Sequence, residues 1–171
     1  MAMIYGIILG VLCMITGTIA NMFIAQLFMF YTVKAVLYVV VLFIMGILAT
    51  RIKKANGGFI EFREIFGAIF IMVLVSGFLY YIYNYIYVTY IDPDFMVKIK
   101  NASLTMMEKR GLSSDVIDKS TEQFDKQIAE SKHFSLGKNL MSFLTMLLVD
   151  SLFGLIIAAI VKKPKPVFFE G

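Results

Sequence analysis

Asp150 is the residue whose type and place point most directly to chemistry. It lies midway along an apolar run, residues 139–161, that carries no other charge. An ionised carboxyl at the centre of a membrane-spanning helix costs about 2.5–3.5 kcal/mol on insertion scales, so an acid kept there has a reason to be there. Two reasons fit: a proton or cation site, or a hydrogen bond that fixes helix packing. Asp150, Gly154 and Ala158 recur every four residues, which places the acid on a face of small side chains turned towards another helix. By depth, Ser76 and the pair Thr16 and Thr18 are candidate partners. Asn84 completes the intramembrane polar set, because Gly67, Gly77 and Asn84 share a sector of one helical wheel with Ser76 beside them.

The rest of the chain offers little chemistry. His133, the single histidine, has no cysteine neighbours and makes no zinc site. Cys13, the single cysteine, excludes an intrachain disulfide and reads as a small packing residue. No nucleophile motif surrounds any serine. Gly57-Gly58 lacks the lysine and the spacing of a phosphate-binding loop. Asp92 and Asp94 could face an external metal, but helix capping accounts for both. The expectation is no catalytic residue, no cofactor, no metal and no enzyme activity.

The elements that position Asp150 are written in apolar runs. Of 171 residues, 60% are hydrophobic and only 16% charged, and the charges sit mostly between the runs. Soluble domains are nearer half apolar, and runs of about 18 or more apolar residues are candidate spans. Four are expected, at residues 3–28, 35–50, 65–91 and 139–161. The net charge of +4 comes from residues flanking these runs, which is no nucleic-acid footprint. The uncharged opening run lacks a basic start and is too long for the apolar core of a signal peptide, so no cleaved leader is expected.

The first run carries Gly6, Gly10, Cys13, Gly17 and Ala20 at spacings that alternate four and three. These small residues share one helical face, where close approach replaces the hydrophobic drive that lipid cannot supply. The face fits packing on another span of this chain, or a homodimer. Lys34 reads as the turn into a short second span, its tip snorkelling to the headgroups. The third span closes on YYIYNYIYVTY, residues 80–90, a composition that belongs at a membrane–water boundary. Asp92-Pro93 then stops that helix and starts another, with Asp92 as N-cap and Pro93 in the first turn.

Residues 92–137 read as an external hairpin of two helices. The first covers 93–110 and is stopped by Gly111; the second covers 115–130 and is capped by Ser113 or Ser114. In the second, Ile117, Thr121, Phe124 and Ile128 form a stripe opposite acids and lysines. That stripe serves local packing or docks a partner. Two dense basic clusters, Arg51, Lys53, Lys54 and Arg63 with Lys162, Lys163 and Lys165, mark one side as cytoplasmic, and both termini with it.

The opening YGIILG, the basic cluster ahead of GGFIEFREIF, the block YNYIYVTYIDPDF and the closing LIIAAIVKK together resemble the domain of unknown function 4199 family. The resemblance covers nearly the whole chain. It implies a four-span integral protein of the bacterial inner membrane, of a kind found mainly in Bacteroidota. The family carries no established activity, so it transfers no catalytic residue. It also implies a setting in cell-envelope glycan or lipid-linked sugar metabolism, beside a polyprenyl-phosphate glycosyltransferase.

The expected fold is an all-α membrane protein, a bundle of four transmembrane helices with an external amphipathic helical hairpin between helices 3 and 4. The expected function is a non-enzymatic accessory or scaffold subunit of an inner-membrane complex. Its partner is another membrane protein or a second copy of itself, and not nucleic acid. The alternative is a small transporter or channel, for protons or a lipid-linked substrate, with Asp150 at its centre. The lack of broken helices, of inverted repeats and of a second intramembrane charge weighs against that alternative.

Overall fold

The computed structural model describes residues 1–131 and 136–165. His133, read above as no zinc ligand, lies outside the described residues. Within them the chain forms α1 (Ala2–Asn21), α2 (Leu27–Ala55), α3 (Phe62–Ile86), α4 (Phe95–Lys109), α5 (Ser114–Ser131) and α6 (Leu136–Val161). A π-helical turn, Tyr87–Ile91, extends α3.

Four of these helices are long and apolar enough to cross a membrane: Ala2–Asn21, Leu27–Ala55, Phe62–Ile91 and Asn139–Val161. Protein covers only a minority of each span. Side chains such as Ile4, Phe43, Leu148 and Ile160 stand outward. An apolar coat of this extent suits hydrocarbon, because in water it would be a single large sticky surface.

The four helices close a ring in the order α1, α2, α6, α3. α1 and α3 run parallel: Gly6 lies against Val75, and Gly10 against Leu79. α3 and α6 run antiparallel: Gly77 meets Met146, and Gly154 meets Ile69. The centre is filled by Leu9, Met45, Ile65, Ile69, Met72 and Ala158.

The small-residue face of α1 explains its seat on α3. A methyl added at Gly6 would fall 2.8 Å from Val75 Cβ, and one at Gly10 would fall 2.9 Å from Leu79 Cδ1. At Gly17 the added atom would meet the Tyr80 ring at 3.1 Å, and Ala20 is buried. Cys13 packs against the central cluster. The stripe is therefore used within the chain, where glycine lets two backbones approach closely.

The break between the first two spans falls at residues 22–26, and not at Lys34. α1 ends seven residues before position 28, and α2 starts eight before position 35. A lysine near a helix end needs no turn, since its stem can lie on the helix while its amine reaches outward. Lys34 does this, with Nζ 5.5 Å from the centroid of the Phe30 ring one turn back. The polar residues that flank the break are Asn21 and Gln26.

At one end of the bundle, Gly57 and Gly58 turn the chain with φ of 75° and 85°. Ile60 and Lys163 then pair as a short antiparallel bridge, with N–H to O distances of 2.8 and 2.9 Å. Lys162 stands over Phe62 and Lys163 over Phe59. This ties the loop before α3 to the end of α6 and gathers both basic clusters at one end, here termed the basic end.

The opposite end is tyrosine-rich. Ring contacts run from Tyr80 to Tyr83, Tyr87 and Phe95, across the π turn and into α4. α4 begins at Phe95, and the residue before it, Asp94, places no side chain on the first turn. Asp92 does not cap it either, because Lys98 Nζ donates to both of its carboxylate oxygens at 2.8 Å. Gly111 ends α4 with φ of 70°, as its position promised. The Val116 N–H donates to the Ser113 carbonyl at 3.0 Å at the start of α5.

Candidate intramembrane polar site

α6 divides its inward face between two neighbours. Gly154 and Ala158 turn against the bundle interior, Gly154 close to Ile69 of α3. Asp150, one turn earlier, falls on the seam with α2. There the Tyr38 hydroxyl donates to Asp150 Oδ1 at 2.6 Å. The Tyr38 ring is steadied edge-on by Phe153, with centroids 5.8 Å apart and planes at 77°. Both residues sit near the middle of their helices, so the pair lies at mid-depth.

The seam opens into a groove of about 600 Å³ lined by Tyr38, Ser142, Thr145, Met146, Val149, Asp150 and Phe153. Thr145 and Ser151 donate to carbonyls one turn back in their own helix, at 2.9 and 2.6 Å. Those hydroxyls are thus satisfied locally. Asp150 has one oxygen on Tyr38 and is only half-buried. The Cys13 thiol lies within electrostatic reach of both Asp150 and Tyr38.

The partners expected for Asp150 go elsewhere. Ser76 is buried under Gly10 of α1 and donates to the Val73 carbonyl of its own helix at 3.2 Å. Thr16 bonds the Cys13 carbonyl, and Thr18 pairs with the Tyr38-remote hydroxyl of Tyr83. Asn84 is exposed towards the tyrosine-rich end. The residue missed is Tyr38. Its signal was a phenol within an apolar run, and it was hidden by starting that run at position 35, which put Tyr38 near the interface instead of mid-span.

The stripe of α5 does not stand free. Ile117, Thr121, Phe124 and Ile128 are all half-buried, and α4 is the helix against which α5 packs. Lys100 of α4 pairs with Asp125 of α5, and Thr121 donates to the Ile117 carbonyl. Part of the stripe's surface is therefore taken up by α4.

Chemically, the Tyr38–Asp150 pair can lock α2 to α6 and offer an acceptor to a donor arriving from the groove. Among the described residues, no group of three or more His, Cys, Asp or Glu side chains could hold a metal. Outside the spans, the Asp92 carboxylate holds the Lys98 amine charged above the usual lysine range, chiefly through their hydrogen bond.

One family model, described as a protein of unknown function, matches residues 4–163. No curated protein and no solved structure matches the chain.

Proposed function

The chain belongs to the DUF4199 family, and from its own geometry we propose that it is a non-enzymatic accessory or scaffold subunit of a bacterial inner-membrane complex. The observation that carries this reading is the Tyr38–Asp150 pair on the outer seam between α2 and α6. A polar pair facing lipid is unfavourable, whereas the same pair facing another helix forms interhelical hydrogen bonds of about 0.6–2 kcal/mol. The occupant we assign to the groove is a transmembrane helix of another membrane protein, bearing a donor side chain at mid-depth. A second copy of the chain is the competing occupant. A polyprenyl-phosphate glycosyltransferase, in cell-envelope glycan metabolism, is the partner to test first on family grounds.

The interior supports a scaffold over a transporter or channel. The ring is filled by Leu9, Met45, Ile69 and Met72, and Asp150 opens sideways instead of towards a central path. In this reading the basic end faces the cytoplasm, with the hairpin of α4 and α5 on the other side.

A photo-crosslinking residue at Met141, which lines the groove, tests the proposal; the control position is Ile4 on α1. A stoichiometric adduct with one membrane protein, formed from Met141 but not Ile4 and lost in Asp150→Leu, is the expected result. Adducts with lipid alone would sink it.

A further inference from the structure

A second cavity lies at the tyrosine-rich end, at a different level from Asp150 and built from other residues. It is a cleft of about 1120 Å³ between the α1–α2 turn and α4. Its two sides differ in chemistry. The turn side is mostly apolar, with Met22 and Phe28 78% and 71% exposed, and carries two amides, Asn21 and Gln26. The α4 side presents Lys98, Asn101, Thr105 and Lys109, whose spacings of three, four and four make one polar helical stripe.

The stripe carries positive charge that the fold does not use up. Asp92, which also lines the cleft, neutralises Lys98 and takes two of its three N–H donors, so Lys98 offers the cleft one donor and no net charge. Lys109 makes no ion pair among the described residues. Lys109 carries the field. The start of the 29-residue α2, left without a side-chain cap by Gln26, adds to it at the same cleft.

The cleft is mostly apolar towards the bundle, hydrogen-bonding on its far wall with Lys109 as its uncompensated charge, and placed where the spans end. The geometry points to a binding site for the phosphate headgroup of an anionic membrane lipid. Lys109 engages the phosphate, Thr105 and Asn101, one and two turns back on α4, supply hydrogen bonds to the headgroup, and Met22 and Phe28 line the path of an acyl chain. This site is independent of the proposed partner groove, so either reading can fail alone.

The test is native mass spectrometry of the full-length protein titrated with dioleoyl phosphatidylglycerol, dioleoyl phosphatidylcholine or inorganic phosphate. Phosphatidylglycerol is expected to bind in preference to phosphatidylcholine. Lys109→Gln should weaken it about fivefold, the share of one lysine near an anionic surface, and Lys109→Glu should weaken it further. Asn101→Leu, which changes no charge, should also lower affinity. The exposed Lys119→Glu on α5 should leave binding unchanged. Equal binding of the two lipids, or an equal loss from Lys119→Glu, overturns the site. Displacement of the lipid by inorganic phosphate at equal concentration overturns the lipid assignment in favour of a free anion.

Discussion

The Tyr38 hydroxyl and the Asp150 carboxylate meet at 2.6 Å although 112 residues separate them in the chain. Their contact joins the second span to the last and puts a hydrogen bond at mid-depth on the outer seam. Removing it has a defined cost. Tyr38→Phe keeps the ring against Phe153 but loses the donor, and should lower bundle stability by about 0.5–1.5 kcal/mol in detergent unfolding. Asp150→Asn still accepts and should lose less. A double-mutant cycle of Tyr38→Phe with Asp150→Leu, which removes the acceptor, should show a favourable coupling; zero coupling would show that the bond does not form.

The glycines of the spans divide by what surrounds them. Gly6→Val drives a branched side chain into Val75 and the Met72 carbonyl, and should destabilise the bundle by about 1–3 kcal/mol. Gly46 has nothing within 4 Å of an added methyl. Gly46→Ala should therefore be neutral, or stabilise by about 0.5–1 kcal/mol through helix propensity. Similar losses at both positions would mean that α1 does not sit on α3 as described.

Phe124→Glu places a charge between α5 and α4. The hairpin should loosen at a cost on the order of 1 kcal/mol, roughly half the worth of a fully buried phenylalanine. Limited proteolysis then cuts α5 faster while the melting of the four spans stays unchanged. A variant protected as well as the parent would count against the α4–α5 contact.

The Lys98–Asp92 pair gives a pH signature. The folded lysine titrates above its ordinary value of 10.5. Its stabilisation is therefore complete below that value and is lost as pH rises through the higher folded one. The chain has no tryptophan, so Phe95→Trp supplies a single reporter beside the pair. Its emission maximum should hold steady from neutral pH into the ordinary lysine range and shift to the red above it. In Asp92→Asn that alkaline step should vanish; an identical step in both proteins would assign it to another group.

Orientation is tested by impermeant maleimide on cells, in a Cys13→Ser background. Ser113→Cys, at the tip of the hairpin, should label in intact cells, and Asn56→Cys only after permeabilisation. The reverse pattern would place the basic end outside.

Helix number, the boundaries of the last two spans and the Gly111 stop were legible because long apolar runs and a positive-φ turn leave strong marks. The first two spans were harder. Their apolar sequence is nearly continuous from Met1 to Val33, so only weakly polar Asn21 and Gln26 mark the break, and Lys34 drew attention away from it. That shift of eight residues also concealed Tyr38. Asp150 stood out as a lone charge, yet depth alone could not choose its partner, since serine and threonine satisfy themselves on their own helix and a tyrosine hydroxyl cannot. The α5 stripe showed that a face was buried, but not against what, because periodicity reports a face and never a neighbour.

The π turn at the end of α3 has a consequence of its own for the hairpin. The Asp92 N–H reaches back five residues to the Tyr87 carbonyl, at 2.8 Å, so this turn holds one residue more than an α-helical turn. One residue of helix corresponds to about 100° of rotation. The turn therefore works as an angular offset between bundle and hairpin. Deleting Val88 would wind the segment into plain α-helix and swing α4 by roughly that angle about the α3 axis, carrying the lysine stripe off the cleft while the four spans stayed in register. The direction in which the hairpin points is thus a matter of one residue, and a length change between Tyr87 and Ile91 would re-aim it.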